Sequence, residues 1–179
     1  MTRFLPIAAL ASAILAGSWL AVPRGAPPSA LGPGAVIEMH KQLFAALDRG
    51  DADAAREFVE GDRKATPRTS TMFLIDGSGA PVKASDADES RDLLARLAAE
   101  SKKAGGIWTT TLTSEAADCY SPELSYAVLE LERSHAIGDK TEVRRYRSTS
   151  LVRYADKGWK IFHWHVSPAD AVAAAVSSR

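Results

Sequence analysis

Apolar residues recur at helical spacing in the first half of the chain and at alternating positions in the second half. In GAVIEMHKQLFAALDRGD, residues 34–51, the apolar side chains form one stripe, which predicts an amphipathic helix. Gly50 suits the end of this helix, and Asp51 suits the start of a short second one. Another helix is predicted over DADESRDLLARLAAESKKAGG, where Asp86 and Glu89 are placed as a capping box.

β-Rich segments make up most of the remaining sequence. STMFLIDGSGAPV predicts a strand, a turn and a short second strand. After Gly106 the helical period is lost, and four strand-like segments follow: GIWTTTLTSEA, ELSYAVLELERSH, TEVRRYRSTSLVRY and GWKIFHWHV. PADAVAAAV predicts a short terminal helix. Helices first and an antiparallel meander last indicate an α+β domain with helices on one side of a curved sheet.

Charge pairs predict the register of the last three strands. If the turns lie at Gly138–Asp139 and near Asp156–Lys157, Glu130 is opposite Arg147 and Glu132 is opposite Arg145. Burying this charged face would carry a large desolvation cost, so we expect it to point outward. The opposite face has no charged side chain and is expected to point inward; it carries Ser125, Ala127, Leu129, Leu131, Tyr146, Ser148, Ser150, Val152, Tyr154, Ile161, His163 and His165.

The same alternation places Phe162, Trp164 and Val166 on the outer face, among charged residues. A cluster of aromatic side chains on an exposed sheet face is typical of a subunit interface. We therefore expect a homodimer formed through the outer face, including Phe162 and Trp164.

Three histidines are the candidates for chemistry. His40 lies within the apolar stripe of the first helix and is expected to point inward, towards His163 and His165. These residues are candidate acids or bases, and three converging imidazoles plus water could also hold zinc. His-x-His alone is a weak metal signal, so we predict hydrogen-bonded pocket histidines and no metal or cofactor. The predicted ligand-binding residues are His40, Trp108, Tyr146, Ser148, Ser150, His163 and His165.

The N-terminal segment is distinct from the domain. Arg3 precedes a nearly unbroken apolar run over residues 4–22, which predicts a signal peptide within residues 1–26 or an uncleaved membrane anchor. Either alternative predicts export to the periplasm or the extracellular medium, with membrane contact only if the segment is retained. Residues 27–33 are predicted to be a linker, and residues 171–179 a tail.

Composition excludes some classes of function. The 179 residues carry 22 basic and 22 acidic side chains, so there is no electrostatic reason to expect nucleic acid as a partner. A single cysteine, Cys119, excludes an internal disulfide and a multi-thiolate metal site.

Four stretches resemble the nuclear transport factor 2-like superfamily, especially its SnoaL-like branch and its calcium/calmodulin-dependent kinase association-domain-like branch. They are FAALDRGDADAAREFVE, MFLIDGSGAPVKASDADESRDLLARLA, ELSYAVLELERS and RSTSLVRYADKGWKIFHWHVSP, which cover most of residues 35–168. The resemblance implies that residues 34–170 form a cone: a strongly bent, mixed or antiparallel sheet wrapped around the N-terminal helices, with a pocket inside and dimerisation through the outer face.

Members of this superfamily differ in activity, so the resemblance does not decide whether the chain is an enzyme. We predict an exported, dimeric domain that binds a small apolar or mixed-polarity molecule. One alternative is an isomerase, dehydratase or cyclase that uses His40, His163 or His165 as acid or base. The inward face lacks the carboxylate that isomerase chemistry needs. A second alternative is a non-catalytic oligomerisation domain.

Overall fold

The computed structural model describes residues 31–59, 70–155 and 158–169. The predicted signal or anchor segment and the tail lie outside these ranges, as does nearly all of the predicted terminal helix. Within the ranges, no helix combines the length and the apolar character needed to cross a bilayer.

The described part of the chain forms three helices and one six-stranded sheet. The helices are α1 (Pro33–Arg49), α2 (Ala52–Arg56) and α3 (Ala87–Ala104), and the strands are β1 (Thr71–Ile75), β2 (Pro81–Ala84), β3 (Ile107–Ser121), β4 (Leu124–Ile137), β5 (Lys140–Ala155) and β6 (Gly158–Pro168). The strand order is β2-β1-β6-β5-β4-β3, in which β1 and β6 are parallel and all other neighbours are antiparallel. The predicted α+β class, with a curled sheet and helices on its inner face, is confirmed.

Helix boundaries follow the predicted capping residues. Gly50 takes a left-handed conformation, with φ of 69°, at the end of α1. Asp51 accepts a hydrogen bond from the backbone N–H of Ala54, and Asp86 accepts one from that of Glu89. These side chains satisfy N–H groups that the first turn of a helix leaves without partners.

The predicted register between β4 and β5 is also confirmed. Glu130 is opposite Arg147 and Glu132 is opposite Arg145, with Nε–Oε distances of 3.2 and 3.3 Å. All four side chains are at least one-third exposed, so the pairs mainly fix the register and contribute little stability. The opposite face of these strands is buried, as expected, at Ser125, Ala127, Leu129, Leu131, Ser148, Ser150 and Val152.

A β-bulge reverses the predicted faces of the second half of β6. Val152 is opposite Ile161 but Leu151 is opposite His163, so Phe162 is an extra residue without a partner on β5. Ile161 therefore points inward as predicted, while Trp164 also points inward and is 2% exposed. Val166 packs against the core as well. The predictions that Trp164 and Val166 face outward were wrong, because one inserted residue shifts the side-chain alternation by one position.

Phe162 itself remains on the outer side, where the guanidinium of Arg153 lies 5.1 Å from its ring centre. Trp164 instead contacts the ring of Phe44 on α1, at 5.9 Å between ring centres, and its indole N–H donates to Ser148 Oγ over 2.7 Å. This indole joins α1 to the sheet.

The bulge predicts very different costs for truncating the two neighbouring aromatic residues. Trp164→Ala should lower the free energy of unfolding by about 3–5 kcal/mol, because it opens a cavity in the core. Phe162→Ala should lower it by about 1 kcal/mol, because that side chain is only half-buried. Urea denaturation followed by circular dichroism measures both values. Equal costs, or a larger cost for Phe162→Ala, would contradict the bulged register.

Candidate ligand-binding site

An inner cavity of about 60 Å³ lies between the helices and the inner face of the sheet. Most of its lining is apolar, with polar contributions from Thr110, Arg133 and Tyr146. The lining residues are Phe44, Leu47, Leu74, Ile75, Leu97, Thr110, Leu131, Arg133, Tyr146, Trp164 and Val166. This volume accommodates a small group, whereas pockets for drug-sized ligands usually measure about 300–1,000 Å³.

A larger, open space adjoins the inner cavity. This outer cleft of about 500 Å³ lies between the end of α3, the β1–β2 turn and the β3–β5 strands. Leu97 and Arg133 line both spaces. The two spaces are therefore adjacent, with Leu97 and Arg133 between them.

Arg133 is the cation at the junction of the two spaces. Its guanidinium lies 4.4 Å from the ring centre of Trp108, and its Nη2 donates to Ser101 Oγ over 2.7 Å. Its Nε lies 3.5 Å from Asp48 Oδ1, yet this buried N–H makes no hydrogen bond within the described part of the chain. Burial lowers the pKa of Arg133 and the charge of Asp48 opposes that shift, but an arginine stays protonated at neutral pH.

Asp48 is a largely buried carboxylate whose two oxygens both have hydrogen-bond partners. Its Oδ2 accepts the backbone N–H of Thr110 over 2.6 Å, and its Oδ1 accepts the Thr110 hydroxyl over 3.0 Å. The side chain is 12% exposed and also pairs with Arg133. Since both of its oxygens already have partners, Asp48 positions Arg133 and is poorly placed to take a proton from a ligand.

Trp108 forms a wall of the outer cleft. Its indole N–H donates to the carbonyl of Ser101 over 3.1 Å, and the ring of His135 stacks on it at 3.8 Å between centres. The side chain is half-buried. This position on the cleft is compatible with the ligand-binding role predicted for Trp108.

His40 points inward as predicted, but it lies in the core and does not line the inner cavity. Its Nδ1 is 2.8 Å from the carbonyl of Val36, so Nδ1 carries the proton. Its Nε2 is 2.8 Å from Ser150 Oγ and accepts the hydrogen bond from that hydroxyl. The side chain is fully buried, and burial lowers its pKa to about 4. Both nitrogens are occupied, so His40 is a structural residue.

The two serines predicted to bind a ligand, Ser148 and Ser150, are also hydrogen-bonded to other side chains. Ser150 bonds His40, and Ser148 accepts the indole N–H of Trp164. Both serines are at most 1% exposed, and neither lines the inner cavity. Tyr146 is the predicted ligand residue that does line it.

His163 and His165 lie on the outer face, so their predicted place in the pocket was wrong. The bulge at Phe162 turns both side chains outward, beside Phe73 on β1. They cannot converge with His40, which lies on the other side of the sheet. Among the residues that the structure describes, no three His, Cys, Asp or Glu side chains form a group suited to a metal ion.

Sequence reasoning missed Arg133 and Asp48. Arg133 could have been found, because it continues the inward alternation of Leu129 and Leu131 along β4. Asp48 carries no comparable signal: it belongs to the last turn of α1, where a charged residue is ordinarily exposed.

Comparison with known proteins identifies the family. The SnoaL-like domain profile matches residues 36–171, and the chain belongs to this family. A comparison with curated protein sequences gave no significant match.

Solved structures share the fold at low sequence identity. A protein proposed to be a dehydratase of the NTF2-like family, from Streptomyces avermitilis, has a TM-score of 0.63 and 16% identity, covering 76% of this chain and 95% of that one. A protein with a cystatin-like fold from Caulobacter vibrioides has a TM-score of 0.59 and 15% identity, covering 81% and 94%. The CaMKII hub of S. rosetta has a TM-score of 0.55 and 22% identity, covering 81% and 99%. These similarities establish a nuclear transport factor 2-like fold.

The buried His40 predicts a loss of stability in mild acid. Its pKa is about 4 in the folded protein and 6.5 as its ordinary value, so the unfolded chain binds the extra proton first. The contribution is complete above pH 6.5 and is lost as the pH falls towards 4, a decrease of about 3 kcal/mol.

Urea denaturation at several pH values measures this decrease, with His40→Asn as the matched variant. Carboxylates contribute to the pH dependence of both proteins, so the difference between them isolates His40. The wild type should lose about 3 kcal/mol more than the variant between pH 7 and pH 4. Parallel curves for the two proteins would show that His40 does not carry the effect.

Proposed function

We propose that this chain is an exported binding domain for a small organic acid that carries a short apolar group. The apolar group would occupy the inner cavity, and the acid would contact Arg133 at the entrance to the outer cleft. Arg133 is the observation that carries the proposal, because its largely buried guanidinium lines both spaces. A guanidinium binds carboxylates with two parallel hydrogen bonds.

Binding agrees with the cavity better than catalysis does. The described lining of the inner cavity contains no histidine and no carboxylate, and Tyr146 is its one titratable group besides Arg133. An isomerase, dehydratase or cyclase of the predicted kind would need a histidine at the cavity, and none lines the inner cavity. The proposed dehydratase from Streptomyces avermitilis shares the fold with this chain, and a shared fold does not transfer an activity.

A matched pair of fragments tests the role of Arg133. Butanoate should bind and butanamide should bind more weakly, because only the former offers a carboxylate to the guanidinium. Arg133→Met should weaken butanoate binding about tenfold or more, since a hydrogen bond to a charged group contributes about 1.5–3 kcal/mol. Ligand-observed NMR titrations measure these affinities.

Arg145→Met is the control, because Arg145 lies on the outer face beside Glu132. Arg133→Lys serves as a second variant in case the unpaired Asp48 prevents folding of Arg133→Met; it keeps the charge and removes the planar fork. Equal binding of acid and amide to the wild type would refute the role of Arg133.

Failure of both fragments to bind would favour the second candidate, a non-catalytic oligomerisation domain. The observation behind this candidate is the small volume of the inner cavity, about 60 Å³. The CaMKII hub of S. rosetta has the same fold.

In either case we propose that the chain forms a homodimer through the outer face of the sheet. That face exposes apolar side chains, including Phe73 at 39% and Val128 at 44%, next to charges that are paired within the chain. Trp164 cannot contribute to this interface as predicted, because it is buried in the core. Phe162 does lie on the outer face.

Val128→Glu tests the dimer, since it places a charge in the middle of β4 on the outer face. We expect the mass from light scattering to fall from two chains to one. Ile137→Glu is the control, because Ile137 is 54% exposed at the end of β4, next to the β4–β5 turn. A wild type that is already monomeric, or a dimer that Val128→Glu leaves intact, would contradict an outer-face interface.

Export is proposed from the sequence of residues 1–26 alone, as a cleaved signal peptide or a retained anchor. Fractionation of cells that produce the chain, with mass determination of the mature N-terminus, distinguishes cleavage from anchoring. A full-length chain in the cytoplasmic fraction would contradict both.

A further inference from the structure

His163 and His165 form an exposed pair on the outer face of β6. They are two residues apart and on the same side of the strand, and each ring packs against Phe73, at 6.3 and 6.5 Å between ring centres. His163 is half-buried and His165 is exposed. Within the described residues, no side chain or backbone group bonds the ring nitrogens of this pair, in contrast to those of His40 and His135.

The geometry of a β-strand suits these two side chains to chelation. Residues i and i+2 point to the same face and lie about 6.6–6.8 Å apart along the strand. Two imidazoles at that spacing can converge on one ion at the usual metal–nitrogen distance of about 2.0–2.1 Å. The contacts with Phe73 restrict the motion of both rings, which lowers the entropy lost on binding.

We propose that His163 and His165 chelate one divalent transition-metal ion, with water completing its coordination. Neutral imidazole suits Cu²⁺, Ni²⁺ and Zn²⁺, and Cu²⁺ binds most tightly of the three. The bulge at Phe162 creates the site, because it brings both histidines to the outer surface. This inference is independent of the ligand proposed for the inner cavity.

Neighbouring charges limit the affinity but do not block the site. The ammonium of Lys83 lies 5.5 Å from the ring centre of Phe73, on the β2 side. On the β5 side, Thr149 is opposite His165 and Leu151 is opposite His163. The next side chains on that face are Arg147, which is paired with Glu130, and Arg153, which lies over the ring of Phe162. Solvent screens the repulsion from these exposed cations.

The histidine content makes the assignment testable. The chain has four histidines. His40 is buried with both nitrogens bonded, and His135 stacks on Trp108 and bonds the carbonyl of Gly105 through Nε2. Metal binding that depends on histidine should therefore be lost with His163 or His165 alone.

The test is a calorimetric titration of the full mature chain with CuCl₂, together with electron paramagnetic resonance of the bound ion. The wild type should bind one Cu²⁺ per chain, with a spectrum that reports two equatorial nitrogens. His163→Asn and His165→Asn should each weaken binding about tenfold or more, because each leaves a single imidazole. His135→Asn is the control and should bind like the wild type.

Titrations of a second protein, the Val128→Glu variant, test metal binding independently of the proposed dimer. If the outer face forms the subunit interface, a second copy can cover the histidines, so the same titrations are made in Val128→Glu. Loss of binding on removal of either histidine, in either background, supports the site. Absence of binding in both backgrounds overturns it, as does binding that survives both histidine substitutions.

Discussion

In β6 one residue, Phe162, has no partner on β5, and this single irregularity determines what each face of the sheet presents. Before the bulge, Trp159 and Ile161 point into the core; after it, Trp164 and Val166 do. The indole of Trp164 thereby fills the space beneath α1 and lines the inner cavity, with its N–H satisfied by Ser148. Without the extra residue, two imidazoles would occupy that space, and the cavity would have a different chemistry.

A buried ion pair at the entrance of the cavity is the second constraint. Arg133 and Asp48 are 21% and 12% exposed, so removing them from water is costly, and their attraction offsets this cost only with additional hydrogen bonds. Thr110 supplies two of these bonds to Asp48, and Ser101 accepts one from Arg133. The pair therefore holds the guanidinium of Arg133 in a fixed position beside the cavity, as the proposed binding of an anion requires.

Much of the fold follows from local signals, whereas most of the site does not. Gly50, Asp51 and Asp86 cap helices for reasons visible in a few neighbouring residues, and the β4–β5 register follows from charge pairing across one turn. The bulge at Phe162 depends on how β6 packs against the helices and β1 together, which no alternating pattern encodes. Because strand alternation has a period of two, this one unpredicted residue misplaced His163, His165, Trp164 and Val166.

Several polar groups of the interior are bonded to one another, which supports the proposal of a binding domain. His40 is hydrogen-bonded to Val36 and Ser150. Ser148 is hydrogen-bonded to Trp164, and Asp48 to Thr110. A catalytic acid or base must exchange a proton with a substrate, and each of these groups has its proton or lone pair committed to a neighbour. Arg133, which lines the cavity, differs from these groups because its guanidinium remains a cation at neutral pH. A permanent cation that cannot give up its proton is suited to holding an anion, which supports the proposed binding of an organic acid.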